Sequence, residues 1–216
     1  MIPIRVEFSL RTPMVASPTG KTLDAVLAWA AVRRSELRGS SDPWAVQHDI
    51  GIARHETQGG WCHMASMFEI EWQGDPEDLH YIKRQKLGDY AEAWINGILK
   101  KRPSVDTSRG DTKAGSYVQQ IRWVKGLRAW AMVEDRSAFE SLLPWVTHIG
   151  KLHHLDLGAV KTFSVHEDPG AVDLWSNRPL PVGSPFAGAM HVPAMGALQS
   201  PYWKRENHCV TMCPVT

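Results

Sequence analysis

The sequence predicts a mixed α+β fold of the ferredoxin-like kind, and three observations carry that reading. Short segments alternate apolar and polar residues with period two, two other segments repeat apolar residues at helical spacing, and a long polar-rich stretch interrupts the series. With residues 73 to 127 set aside, the order is strand, helix, strand, strand, helix, strand. In the ferredoxin-like plan that order makes one antiparallel sheet backed by two helices; a generic α+β sandwich is the alternative.

The first strand is residues 4 to 10, where Ile4, Val6, Phe8 and Leu10 alternate with Arg5, Glu7 and Ser9. After the turn-rich 13–20, Thr22 is placed to cap a helix whose apolar positions Leu23, Val26, Leu27, Ala30 and Ala31 carry it to about Leu37. A second strand follows Gly59-Gly60, with Cys62, Met64, Phe68, Ile70 and Trp72 on one face and Glu69 and Glu71 on the other, ended by Gly74-Asp75-Pro76. The long interruption carries one helical stripe, Leu87, Tyr90, Ala91, Trp94, Ile95, Ile98 and Leu99, and then a polar loop. Residues 117 to 133 are strand-like, with a turn expected at Lys125-Gly126. A short helix over 137–143 and a last strand over 159–166 complete the plan. The resulting division is a core of 1–72 and 128–168, a thumb-like insertion of 73–127, and an irregular, Pro- and Gly-rich tail of 169–216 that wraps the core.

Composition excludes several classes. A chain of 216 residues with 43% hydrophobic and 22% charged residues is neither disordered nor fibrous, and it is long enough to bury a core without disulfides. Three cysteines do not make a secreted framework, and the first residues lack the apolar core of a signal peptide, which together point to the cytoplasm. No stretch is apolar and long enough for a membrane helix. Cys209, Cys213 and His208 lack a second ligand pair at zinc-site spacing, so neither metal nor cofactor is expected.

Charge is nearly balanced overall, 24 Lys and Arg against 23 Asp and Glu, but not locally. Residues 100–128 hold Lys100, Lys101, Arg102, Arg109, Lys113, Arg122, Lys125 and Arg128 against Asp106 and Asp111. A segment of that kind attracts a phosphate backbone by counterion release, and Tyr117 and Trp123 add stacking surfaces; the plainer reading is a solvated loop. A second constellation runs from Thr147 to Val160. Gly150 and Gly158 let a backbone approach closely, and Lys151, His153 and His154 supply donors. A glycine-containing connector with a solvated histidine pair is the plainer reading there. The same histidines with Lys151 and a tyrosine are also the groups that metal-free RNA cleavage needs.

The strand 4–10, the helix motif Leu23-Asp24-Ala25-Val26-Leu27-Ala28-Trp29, the segment Trp61-Cys62-His63-Met64-Ala65-Ser66-Met67, and Trp145-Val146-Thr147-His148-Ile149-Gly150-Lys151 leading to Gly158-Ala159-Val160 together resemble the Cas-five-type subunit of type IV CRISPR effector complexes. That family belongs to the RAMP superfamily, with a ferredoxin-like (RRM-like) core and a glycine-rich loop before the last strand. The resemblance implies a non-catalytic, RNA-binding subunit of a DNA-targeting ribonucleoprotein in antiviral defence. Such a subunit grips the 5′ handle of the guide RNA, caps a filament of backbone subunits, and lies near a large subunit at the target-DNA entry site.

By position, Gly150, Lys151 and Gly158 match the family's glycine loop. Asp156 stands where another glycine is expected, and Ala159 where a basic residue is common, which moves the expected RNA contact towards Lys100, Lys101, Arg109, Lys113, Arg122 and Lys125. Tyr90 and Trp94 are the expected partner anchors, since interfaces favour buried Trp and Tyr. A metal-independent endoribonuclease that processes precursor guide RNA is the competing class, because some relatives cleave.

Overall fold

The computed structural model describes residues 1–16, 20–83, 94–98, 100 and 115–215. The chain divides into two units, Met1–Asp75 with Arg122–Thr216, and Pro76–Ile121. Its strands in chain order are β1 (Ile2–Leu10), β2 (Met14–Val15), β3 (Arg54–Thr57), β4 (Gly60–His63), β5 (Glu69–Lys83), β6 (Gly115–Val133), β7 (Val160–Glu167), β8 (Leu180–Pro181), β9 (His191–Ala197) and β10 (His208–Pro214). The helices are α1 (Leu23–Leu37), α2 (Arg136–Leu142) and α3 (Ala171–Leu174).

β1 lies inside the main sheet. It is antiparallel to β6, with Ile2 opposite Val133 and Phe8 opposite Leu127, and antiparallel to β7, with Ile4 opposite Glu167 and Phe8 opposite Phe163. β6 also pairs with β5 and β2. The order β7-β1-β6-β5, mostly antiparallel and backed by helices, is compatible with a ferredoxin-like core. The alternation of β1 decides its faces: Ile4, Val6 and Phe8 are buried in the core, together with Leu23, Leu27, Ala30 and Ala31 of α1 and Phe139 and Leu142 of α2. Each fully buried Leu or Phe there contributes roughly 1.5–3 kcal/mol. α2 starts where Asp135 accepts a hydrogen bond from Ala138 N at 2.9 Å, which satisfies an N–H that the first turn leaves open. Thr22 occupies the corresponding position before α1 with extended backbone, but its side chain makes no capping hydrogen bond.

Several expectations need correction. The expected second strand is two pieces: Cys62 lies in the small β3–β4 hairpin opposite His55, and β5, which pairs with β6, begins at Glu69. Its apolar residues do not share a face, because Cys62 and Met64 pack in a second core whereas Phe68, Ile70 and Trp72 pack in the first. Gly74-Asp75-Pro76 does not end β5; Gly74 takes φ +70° and the strand continues to Lys83. Nor does Lys125-Gly126 turn the chain, since β6 runs unbroken for 19 residues.

The tail is not irregular. β8, β10 and β9 form a three-stranded antiparallel sheet in that order. Trp175 and Leu180, both fully buried, join Ala53, Cys62, Trp130, Met132 and Leu198 in the second core. Trp130 and Met132 alternate along β6 with Ala129, Ala131 and Val133 of the first core, so the two cores lie on opposite faces of the strand.

A buried polar network ties the tail to α1. Arg178 and Asp24 are 0% and 1% exposed, with Arg178 Nη1 3.1 Å from Asp24 Oδ1. Arg178 donates to the carbonyls of His63 at 2.7 Å, Ala65 at 3.2 Å and Leu198 at 2.8 Å, and to the Tyr202 hydroxyl at 2.8 Å. Tyr202 in turn donates to Asp24 Oδ2 at 2.5 Å. Burial works against the guanidinium charge, but Asp24 and Tyr202 more than offset it and hold its pKa above the ordinary value. Burial pushes His63 down to about 4, so the imidazole beside this network is neutral. Among the described residues no helix is long and apolar enough to cross a membrane.

Candidate nucleic-acid interface

The glycine loop is a closed excursion from the sheet. Ile149 N donates to Gly158 O at 2.8 Å and Val160 N to Thr147 O at 2.9 Å, which brings its two ends together. Gly158 N donates to Pro13 O at 2.8 Å, and Thr12 Oγ1 donates to Asp156 O at 2.6 Å, so the segment after β1 anchors the loop. Between the ends, a short 3₁₀ turn over His153–Leu155 is flanked by two non-glycine residues in the left-handed region, Leu152 at φ 59° and Asp156 at φ 60°. Backbone of that kind persists only where its surroundings over-determine it.

Asp156 supplies much of that determination. His148 Nε2 lies 3.1 Å and Arg11 Nη2 3.2 Å from the same Asp156 Oδ1. The hydrogen bond from His148, with Arg11 beside it, holds the carboxyl below its ordinary range. Asp156 thus adopts the left-handed conformation a glycine would give and pins the loop as well. Ala159 is fully buried, which leaves no room there for a basic side chain. Gly150 and Gly158 sit at φ +109° and +70°. A Cβ on Gly158 would lie 1.9 Å from the Ile149 carbonyl oxygen, so that position has no space for any side chain.

Two clefts meet at Gly150. One is lined by Met14, Lys21, Phe68, Ile149, Gly150 and Lys151 among others, and among the described residues its only charged lining groups are the two lysines. Burial, and then the charge of Lys151, lowers the pKa of Lys21. Two ammonium groups close enough to oppose each other, over an apolar floor, form a site for an anion. The other cleft is lined by Ala25, Val26, Trp29, His148, Gly150 and His153.

The structure gathers Gly150, Lys151, His153, His154 and Gly158 in this one loop, with the His153 and His154 rings 6.2 Å apart. It does not leave the strand part of the basic segment free. Lys125 Nζ lies 2.6 Å and Arg128 Nη2 3.3 Å from Glu71 of β5. Arg122 Nε donates to Gly74 O at 2.6 Å, and its guanidinium sits 5.7 Å from the centre of the Trp72 ring. The eight-to-two count along the chain could not include Glu71, which arrives from the neighbouring strand. In the unit Pro76–Ile121, Lys100 and Trp94 are exposed, Trp94 by 42%, and Tyr81 stacks on Tyr117 at 5.4 Å. Lys101, Arg109, Lys113 and Tyr90 lie outside the described residues.

Sequence reasoning missed Lys21 and Trp29. Trp29 stood in the quoted helix motif, but only the fold sets it beside the loop. Among the described residues no group of three His, Cys, Asp or Glu side chains is placed to hold a metal ion. Cys209 and Cys213 flank Thr211 along β10, whose Oγ1 is 3.3 Å from Cys213 Sγ. No curated protein matches the chain. A family model described as CRISPR type IV associated protein Csf3 matches residues 2–214.

Proposed function

Because the chain belongs to the Csf3 family of type IV CRISPR-associated proteins, we propose that it is the non-catalytic, Cas-five-type subunit of a DNA-targeting effector complex. In this reading a ferredoxin-like RAMP core grips the 5′ handle of the guide RNA, and the protein caps the filament of backbone subunits in the cytoplasm, close to a large subunit at the target entry. The observation that carries the RNA-binding reading is the cleft of Lys21 and Lys151 at Gly150. Among the described residues its lining charge is wholly positive and Lys21 is partly desolvated, whereas Lys125 and Arg128 of β6 are already paired with Glu71. A phosphate docked between the two ammonium groups at the mouth of the cleft relieves the repulsion between the lysines.

Lys100, with Lys101, Arg109 and Lys113 by sequence, supplies further phosphate partners from the insertion. The exposed Trp94, Ile95 and Ile98 there are anchors for a backbone subunit.

The His148–Asp156 pair favours the second reading, a metal-independent endoribonuclease, since a carboxylate-oriented imidazole is a ready general base. Arg11 shares that carboxylate oxygen, however, and the pair closes the loop, which is a structural use of both groups. Incubating the purified chain with its cognate repeat RNA in excess chelator separates the readings. Intact RNA retained on the protein is the expected result, and specific cleavage that is lost in His148→Ala would replace the scaffold with the enzyme.

A further inference from the structure

α1 is buried around most of its circumference, yet it presents one large aromatic to solvent beside the glycine loop. Trp29 is 41% exposed. Its ring centre is 6.3 Å from that of His153, with the planes at 51°, and His153 is 6.3 Å from His148 at 53°. These three rings, with Ala25, Val26 and Gly150, line the second cleft.

Each ring is held from behind. Trp29 stands on a 15-residue helix, His148 is fixed between Thr147 Oγ1 and Asp156 Oδ1 at 3.1 Å each, and His153 belongs to the turn bounded by two left-handed residues. A flat ligand inserted between two aromatic rings needs them about 7 Å apart, twice the 3.4 Å step between stacked bases. The Trp29 and His153 rings are inclined at 51°, so the cleft offers a base one stacking face, that of Trp29, with the His153 ring at its edge. The remaining lining is apolar or aromatic: the Ala25 and Val26 side chains cover ring carbons, and the His148 ring, its nitrogens held by Thr147 and Asp156, presents its carbon edge.

Gly150 lines this cleft and the lysine cleft alike. With no side chain at φ +109°, it leaves the passage between them open for a sugar–phosphate backbone. Two histidines line the cleft, and Lys21 and Lys151 line the cleft beside it, which sets positive charge next to the aromatic face. We infer that the Trp29–His148–His153 cleft holds a single unstacked nucleobase of the bound RNA, its backbone passing Gly150 to the phosphate site at Lys21 and Lys151. The inference rests on the RNA-binding reading above and adds to it a base-holding pocket.

The test is a binding series with the full-length chain and a set of handle RNAs, each carrying one abasic nucleotide, measured for wild type, Trp29→Ala and Trp29→Phe by fluorescence anisotropy. One abasic position is expected to weaken wild-type binding about tenfold, the usual scale of one base–aromatic stack. Trp29→Ala should lose a similar factor on intact RNA and show no further loss at that one position, whereas Trp29→Phe keeps most of the affinity and so controls for folding. Tight handle binding with every abasic penalty unchanged by Trp29→Ala overturns the base pocket and leaves the RNA-binding reading standing. Competition by a free mononucleotide at concentrations similar to the handle's overturns it in favour of a mononucleotide site. Failure of the wild-type chain to bind any handle RNA overturns both.

Discussion

Replacing Arg178 by methionine should lower the unfolding free energy by about 3–5 kcal/mol, the scale observed when one partner of a buried ion pair is removed. Methionine fills much of the same volume, so the loss is electrostatic. Asp24 would be left at 1% exposure without its cation, and the carbonyls of His63, Ala65 and Leu198 would lose the guanidinium as donor. The tail is the part that suffers, since Arg178 and Tyr202 join it to α1 and to the segment after β4. Urea denaturation of Arg178→Met, and of the same variant carrying Asp24→Leu, measures this. The second change removes the orphaned carboxyl group and should restore a large part of the loss, and a single-variant effect under about 1 kcal/mol would show that the network is not needed.

The second large effect is expected at Gly158. Alanine there must take φ +70° and place its Cβ 1.9 Å from the Ile149 carbonyl oxygen, in the pair of residues whose hydrogen bond closes the loop. A non-glycine residue in the left-handed region costs about 1–2 kcal/mol before any clash, and overpacking adds roughly 1–3. Gly158→Ala should therefore destabilise the chain by about 2–4 kcal/mol and abolish handle binding, read by thermal unfolding and by filter binding of labelled RNA. Gly150→Ala is the contrast. Its Cβ meets the flexible end of Met14 at 3.2 Å, so less stability is lost, while the passage between the two clefts is still narrowed.

Those two positions also show how far the sequence could be read. β1 was legible because Ile4, Val6 and Phe8 put one face on a single core, so burial imposes a clean period on the residues, whereas α1, buried around most of its circumference, was legible from its run of helix-forming apolar residues. The second strand was not. From Cys62 to Phe68 the chain crosses from the core beneath the tail to the core beneath α1, and the period-two pattern carries straight across that change. Asp24 stood in the quoted helix motif, and Arg178 and Tyr202 in the segment read as an irregular tail. Their meeting depends on tertiary packing that no local pattern encodes. Glu71 escaped in the same way: a charge count along the chain sees neighbours in sequence, whereas a strand pairs with residues across the sheet.

For the candidate site, Gly150, Lys151, His153, His154 and Gly158 were legible from glycine spacing and the family resemblance. Lys21 and Trp29 were not, because only the folded chain brings α1 and the segment before it to the loop. Asp156, a departure from the expected glycine, is the residue that holds the loop's left-handed turn through Arg11 and His148.

The central claim is that the 5′ handle's phosphates lie at Lys21 and Lys151, and the salt dependence of handle binding tests it most directly. For single-stranded RNA the slope of log K against log salt falls by about 0.7 for each phosphate that the protein no longer neutralises. Lys21→Ala with Lys151→Ala should therefore flatten the slope by about 1.4, while Lys125→Ala, whose lysine is paired with Glu71, should leave it nearly unchanged. A double variant with the wild-type slope, or a Lys125→Ala variant with the flatter one, would contradict the account and place the RNA on β6.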